Sequence, residues 1–144
     1  LNQADLARDV RVAPTTVQRY LNLLEVSCQL VRLPAYSVNR TKRLVKSPKL
    51  YWSDTGLALH LAGHAEPRGE HLENLVLCDL LTWASSRLER TEILFWRTAK
   101  GAEVDFVIES GRRLLPVEVK MATRVHPGDA PHHGRGRSGV GREI

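Results

Sequence analysis

Apolar positions recur at helical spacing in the first third of the chain. Ala4, Leu6, Ala7 and Val10 form one stripe, with Asn2 as the capping residue and Asp5 three positions on. Pro14 suits the first turn of a second helix, in which Val17, Tyr20, Leu21, Leu24 and Cys28 are expected to face a core. Thr15, Thr16, Gln18, Arg19 and Asn22 fall on other faces. The pattern then shortens to period two. Leu30 to Val38, broken by Pro34, Arg43 to Lys46, and Lys49 to Trp52 read as strands, with a turn at residues 39–42. Asp54 caps a short helix through Leu57, Leu59 and Leu61, which Gly63 stops. A longer helix is predicted from His71 to Leu88, with Leu72, Leu75, Val76, Leu80 and Trp83 as its apolar stripe. Ile93–Arg97, Glu103–Glu109 and Arg113–Lys120 read as strands, the last two joined by a turn at residues 110–112.

This order predicts an α+β chain of two modules. Residues 1–62 read as a winged helix-turn-helix, 63–70 as a linker and 71–120 as a second module. Residues 121–144 are rich in Gly, Pro and His without a period and read as a disordered tail.

Charge sharpens the division. The net +5 over 144 residues splits into +6 for residues 1–50, −3 for 51–120 and +2 for the rest. Arg32, Arg40, Lys42, Arg43, Lys46 and Lys49 follow one another with no acidic residue between them, a field that attracts nucleic acid. Thr15, Thr16, Gln18 and Arg19 on the second helix, with Arg40, Lys42, Arg43, Lys46 and Lys49 on the wing, are the expected DNA contacts. No apolar run reaches the ~18 residues of a membrane span. Cys28 and Cys78 lack metal-ligand spacing and read as two buried thiols in a reducing cytoplasm. His60 and His64, four apart, lack a nearby third ligand, and Trp52, Trp83 and Trp96 are expected in cores.

In Glu103–Glu109, strict alternation sets Val104, Phe106 and Ile108 on one face and Glu103, Asp105, Val107 and Glu109 on the other. Aligning the apolar faces across the following hairpin puts Asp105, Glu118 and Lys120 on one side. Paired carboxylates suit Mg²⁺ or Mn²⁺, and a neighbouring ammonium suits a developing phosphorane charge. Glu73, one turn into the preceding helix, is placed to close such a site.

Helix with Glu, strand with Asp, then Glu-x-Lys in the next strand resembles the PD-(D/E)xK nuclease-like superfamily. The whole of residues 1–120 is similar to the C-terminal region of a family of prokaryotic P-loop AAA-type ATPases, where a winged helix precedes such a domain. The blocks that carry this likeness are 5–9, 16–21, 24–25, 42–51 and 54–57 in the first module. In the second they are Leu72-Glu73-Asn74, Trp96-Arg97-Thr98, 101–106 and 116–120. The resemblance places Glu73, Asp105 and Glu118 on metal-binding acidic positions and Lys120 on the catalytic Lys. It implies a possible Mg²⁺-dependent phosphodiesterase in a DNA-binding, cytoplasmic parent protein. The alternative it leaves open is an inactive module that couples ATPase subunits or a partner.

Three features depart from that family. No G-x-x-x-x-G-K-[ST] is present, so no ATP site is expected in this chain, which looks like a fragment lacking the ATPase module. Gly134-Arg135-Gly136-Arg137-Ser138-Gly139 spells G-x-G-x-x-G but follows no strand. Arg11 stands where the family has a turn Gly, and Ala13 where a Ser caps the next helix, each costing on the order of 1 kcal/mol. The change of composition after Lys120, where the nuclease-like fold continues, reads as a truncated or frame-shifted end.

Overall fold

The computed structural model describes residues 3–39, 47–98 and 101–122, with side chains from Asp5 onward. Among these the chain is a mixed α+β arrangement of four helices, one two-stranded sheet and one three-stranded sheet. The expected cap Asn2, most of the basic loop and the tail from residue 123 lie outside the described residues.

Helix α1 (Gln3–Asp9) and helix α2 (Pro14–Val26) meet at a tight turn. Arg11 takes a left-handed φ of 54°. Its N–H donates to Arg8 O (3.2 Å), and Val12 N–H donates to Ala7 O (3.1 Å), which satisfies carbonyls the end of α1 would otherwise leave open. Helix α2 ends the same way. Cys28 has φ 57° and donates to Glu25 O, while Gln29 N–H reaches Leu24 O. The left-handed position expected at Arg11 is therefore present, and Cys28 is a second one. Ala13 provides no side-chain cap, as its chemistry dictates.

The buried face of α2 is narrower than its apolar pattern. Val17 of α2, Ala7 of α1 and Leu30 of the first strand are buried, whereas Tyr20 and Cys28 are exposed. The physical reason is size. Seven-residue α1 and one short strand cover only one side of α2, and Tyr20, Leu23 and Val26 face outward.

Strand β1 (Leu30–Leu33) pairs antiparallel with β2 (Lys49–Trp52), from Leu30↔Trp52 to Leu33↔Lys49. β1 thus ends before Pro34, short of the expected Val38. Residues 43–46, expected as its partner strand, lie outside the described residues. Past Pro34 the chain runs parallel to the next sheet. Pro34 O accepts from Phe95 N–H (3.1 Å), and Tyr36 N–H donates to Phe95 O (2.5 Å). Proline cannot donate here, so its carbonyl alone serves the ladder.

Helix α3 (Thr55–Leu61) starts where Asp54 accepts a hydrogen bond from Leu57 N–H, and Gly63, at φ 65°, follows its end. Helix α4 runs Gly69–Ser85. Strands β3 (Thr91–Arg97), β4 (Glu103–Ser110) and β5 (Arg113–Val117) form a meander in the order β3-β4-β5. The main interior joins Leu33, Ala35 and Tyr51 to Leu77, Ile93, Phe95, Phe106 and Ile108. Residues from both sides of the expected 63–70 linker thus share one core.

Helix α4 turns part of the predicted stripe inward, Val76 and Leu80 packing against the core, and departs from it elsewhere. Asn74 and Leu77 are buried, with Leu81 and Ala84 packed behind them, while Leu75 and Trp83 are largely exposed. The helix is apolar on most sides, so periodicity alone does not fix its inward face. The docking of Asn74 on β2 does.

Candidate functional site

The site begins with a one-residue irregularity. Between Leu94↔Val107 and Trp96↔Val104 the register advances two residues on β3 and three on β4. An extra residue in one strand interrupts the alternation of side chains and re-aims those beyond it. Residues before the irregularity therefore leave the side that strict alternation assigns them. Glu103 and Asp105 reach the ammonium of Lys49, which also contacts Glu73 of α4 and lies 5.6 Å from the centre of the Phe95 ring. Val107, expected among the acidic residues, is buried opposite Leu94 and Pro116.

Lys49 Nζ is 3.0 Å from Glu73 Oε1, 2.5 Å from Glu103 Oε1 and 3.8 Å from Asp105 Oδ1. Its side chain is only 17% exposed. Tyr51, two residues along β2 and on the same side, donates its hydroxyl to the same Glu73 oxygen. Arg97 grips Glu103 from the far side, Nε to Oε2 at 2.7 Å. Asp105 Oδ2 accepts from Val119 N–H at 2.9 Å, past the end of β5. Lys120 Nζ pairs with Glu118 Oε1 at 3.0 Å on the more exposed rim.

The charges bias one another in the expected directions. Burial pulls the Lys49 ammonium down, but Glu103 and Glu73 outweigh it and hold it above the ordinary lysine value. Burial pushes Glu103 up, and Lys49 with Arg97 more than reverses this, so it lies below the ordinary carboxylate value. Asp105 goes the other way. Burial pushes it up, the Val119 amide opposes, and the charges of Glu73 and Glu118 add to the rise. Burial, then the Glu73 contact, pushes the Tyr51 hydroxyl far up and keeps it a donor.

Asn74, beside Glu73, fastens the same strand. Its Oδ1 accepts from Trp52 N–H (2.9 Å), and its Nδ2 donates to Trp52 O and Thr55 Oγ1 (both 3.0 Å). One buried amide thereby satisfies both backbone groups of the last β2 residue and ties it to α3.

Glu73 and Asp105, expected in one site, share Lys49 as a partner, and Glu118 is near enough to Asp105 to act on it electrostatically. Lys120 is engaged by Glu118. Lys49, expected on a DNA-facing wing, is turned inward instead. Alternation set Glu103 on the face of Asp105 without marking it as a site residue, and spacing did not reveal Tyr51. The motif blocks around Lys49–Tyr51 and Glu73-Asn74 were the signal available.

A divalent ion on Glu73, Asp105 and Glu118 is the cofactor that the resemblance implies. The donor set argues against it in this arrangement. The Glu73 Oε1 lone pairs are taken by Lys49 and Tyr51, one Asp105 oxygen by the Val119 amide, and Glu118 by Lys120. A doubly charged ion among these carboxylates would stand next to the Lys49 ammonium, and like charges a few ångströms apart repel strongly where water is scarce. The residues as placed do not fit that ion.

A second cluster lies at the other end of the 63–70 segment. Ligand atoms of His64, Glu70 and His71 all fall within 4.8 Å of one another, a spacing that could hold a metal. His71 Nδ1, however, accepts the Arg68 amide N–H at 3.0 Å as the return bond of a helix cap. That fixes the ring proton on Nε2, which is then a donor rather than a ligand. The His64 and His71 rings meet edge to face at 5.4 Å. His60 does not join them.

Helix α2 presents Thr15 and Arg19 to solvent, with Thr16 and Gln18 half-exposed. Gln18 Nε2 and Arg32 Nη2 both donate to Asn22 Oδ1, at 2.6 and 2.7 Å, and Arg32 Nε lies 3.0 Å from Glu25. Arg32 of β1 thus joins the polar row of α2. Arg40, Lys42, Arg43 and Lys46 lie outside the described residues.

Among the described residues, no helix is long and apolar enough to cross a membrane. No solved structure matches the chain. Uncharacterized proteins of Mycobacterium bovis and Mycobacterium tuberculosis are each 34% identical to it over 128 residues. The match takes in 83% of this chain but 28% of either relative. Residues 1–68 match a family described as a domain of unknown function (DUF8612), and residues 68–134 are similar to another, likewise described as a domain of unknown function (DUF4143).

Proposed function

We propose that the chain is the DNA-binding part of a longer protein, a winged helix docked on a nuclease-like sheet that acts as scaffold. The observation that carries this reading is the outward row on α2. Thr15 and Arg19, with Thr16 and Gln18 beside them, offer hydroxyl, guanidinium and amide groups from the first two turns of a helix held behind the Arg11 turn. They belong to residues 1–50, which carry a balance of +6. The length of the relatives agrees with a parent in which other domains, an ATPase module by resemblance, lie outside this segment. Lys49 is removed from the list of phosphate contacts by its carboxylate partners, so the residues to test are Thr15, Arg19 and the basic loop. Mg²⁺-dependent cleavage is not part of this reading, because Lys49 stands among the carboxylates that would hold the ion.

Fluorescence anisotropy on a labelled duplex, followed over a salt series, tests the proposal. Binding is expected to weaken steeply and linearly in log salt. Arg19→Ala should weaken it and, if Arg19 meets a phosphate, lower the salt slope by about 1. Absence of duplex binding at low salt, or binding indifferent to salt and to Arg19, would refute it.

A further inference from the structure

We infer that Lys49 is the resident cation of the carboxylate cluster, and that its ammonium excludes divalent metal while clamping β2 to α4 and β4. The inference goes beyond DNA binding and does not rest on it. Three observations converge. The ammonium touches Glu73 and Glu103 and faces Asp105, carboxylates from two elements distant in sequence. It is held there by its strand. Lys49 pairs with Leu33 in the β1–β2 ladder, and β2 is pinned further along by the Tyr51–Glu73 and Asn74–Trp52 bonds. Withdrawing Lys49 alone would take the ammonium from Glu73 and Asp105 and leave Glu103 to Arg97 alone. Its partners are also occupied from behind, Glu103 by Arg97 and Asp105 by the Val119 amide. The cluster is therefore an ion-pair hub in which a lysine from the basic first third of the chain occupies the place a metal would take.

Exclusion has a direct consequence. Removing the charge of Lys49 while keeping its length leaves Glu73, Glu103 and Asp105 as an open set of hard oxygen donors. Mn²⁺ binding is to be measured by electron paramagnetic resonance on the 144-residue chain and on Lys49→Met. The expected result is that Lys49→Met binds Mn²⁺ at least about tenfold more tightly than wild type. Adding Asp105→Asn to Lys49→Met should reverse that gain. Equal binding by wild type and a folded Lys49→Met, or a gain that survives Asp105→Asn, would overturn the inference.

The wild-type chain supplies a readout that holds even if Lys49→Met does not fold. The Cε–Hε NMR resonances of Lys49 should keep their shifts when Mg²⁺ is added in excess. Their movement toward those of a solvated lysine, saturating with Mg²⁺, would mean that metal displaces the ammonium and would overturn the inference. Neither result depends on DNA, so its failure is distinct from failure of the DNA-binding reading.

Discussion

Arg11 and Cys28 hold the two left-handed positions that end α1 and α2, and neither is glycine. A side chain there brings Cβ against the backbone, at about 1 kcal/mol or slightly more. Arg11→Gly and Cys28→Gly should each stabilise the chain by about 0.5–1 kcal/mol, the entropy of the unfolded glycine taking back part of the gain. Thermal denaturation reads this as a rise of a few degrees for either variant. No change, or a loss, would mean that Arg11 makes a compensating contact in the folded state. Asn74 is the residue with most at stake. Asn74→Ala orphans the Trp52 amide and leaves its carbonyl only the weak contact of the Cys78 thiol, at about 1–3 kcal/mol per buried group left unpaired. A urea titration should show its midpoint well below wild type, whereas Leu75→Ala, at an exposed position of the same helix, should change little.

At the scale of elements, the irregular pairing of β3 and β4 decides which residues meet. Asp105 pays for its place there. Its pKa is raised above the ordinary 3.8, chiefly by burial and then by Glu73 and Glu118, so its ionised form is disfavoured by the fold. Asp105→Asn keeps an oxygen for the Val119 amide and removes the charge. At pH 7 this substitution should therefore raise the melting temperature. The gain should shrink as pH falls through the raised value toward 3.8, because wild-type Asp105 then protonates as well. A melting-temperature difference that is constant from pH 7 to pH 3.5 would contradict this account. Glu103 and Lys49 have the opposite sense. Glu103 lies below its ordinary 4.5, so its contribution is present above that value and is lost as pH falls through the folded one. Lys49 lies above its ordinary 10.5, so its contribution is whole below 10.5 and is lost as pH rises through the folded value. The hub is accordingly intact across the neutral range and weakens only at its two extremes.

For the whole molecule, the shared interior matters more than either sheet. Leu33, Ala35 and Tyr51 pack with Leu77, Phe95 and Phe106, and residues 34–36 lie along β3. The described elements should then unfold as one unit. Scanning calorimetry should give a single transition with calorimetric and van't Hoff enthalpies equal. Leu77→Ala should shift that transition by about 2–5 kcal/mol without splitting it. Two resolved transitions would mean that the helical pair and the meander fold independently.

The features legible in the chain alone are local. Period and end signals placed the helices and the β4–β5 hairpin within a few residues. They marked Gly63 as a helix stop, while comparison with the resembling family marked Arg11 as a strained turn and Ala13 as an empty cap. The resemblance singled out Glu73 and Asp105. The helix and hairpin readings succeed because each depends on neighbours in the chain, whose geometry is fixed by 3.6 or two residues per repeat. Packing in three dimensions set which side of α4 faces inward, inserted an extra residue in β4 that breaks the alternation around Asp105, and brought Lys49 into the cluster rather than onto a DNA-facing wing. A period-two count cannot register an inserted residue. Nor can a count of basic residues show that one of them has its partners 24 and more positions away, where strand pairing brings Lys49 against Glu73, Glu103 and Asp105.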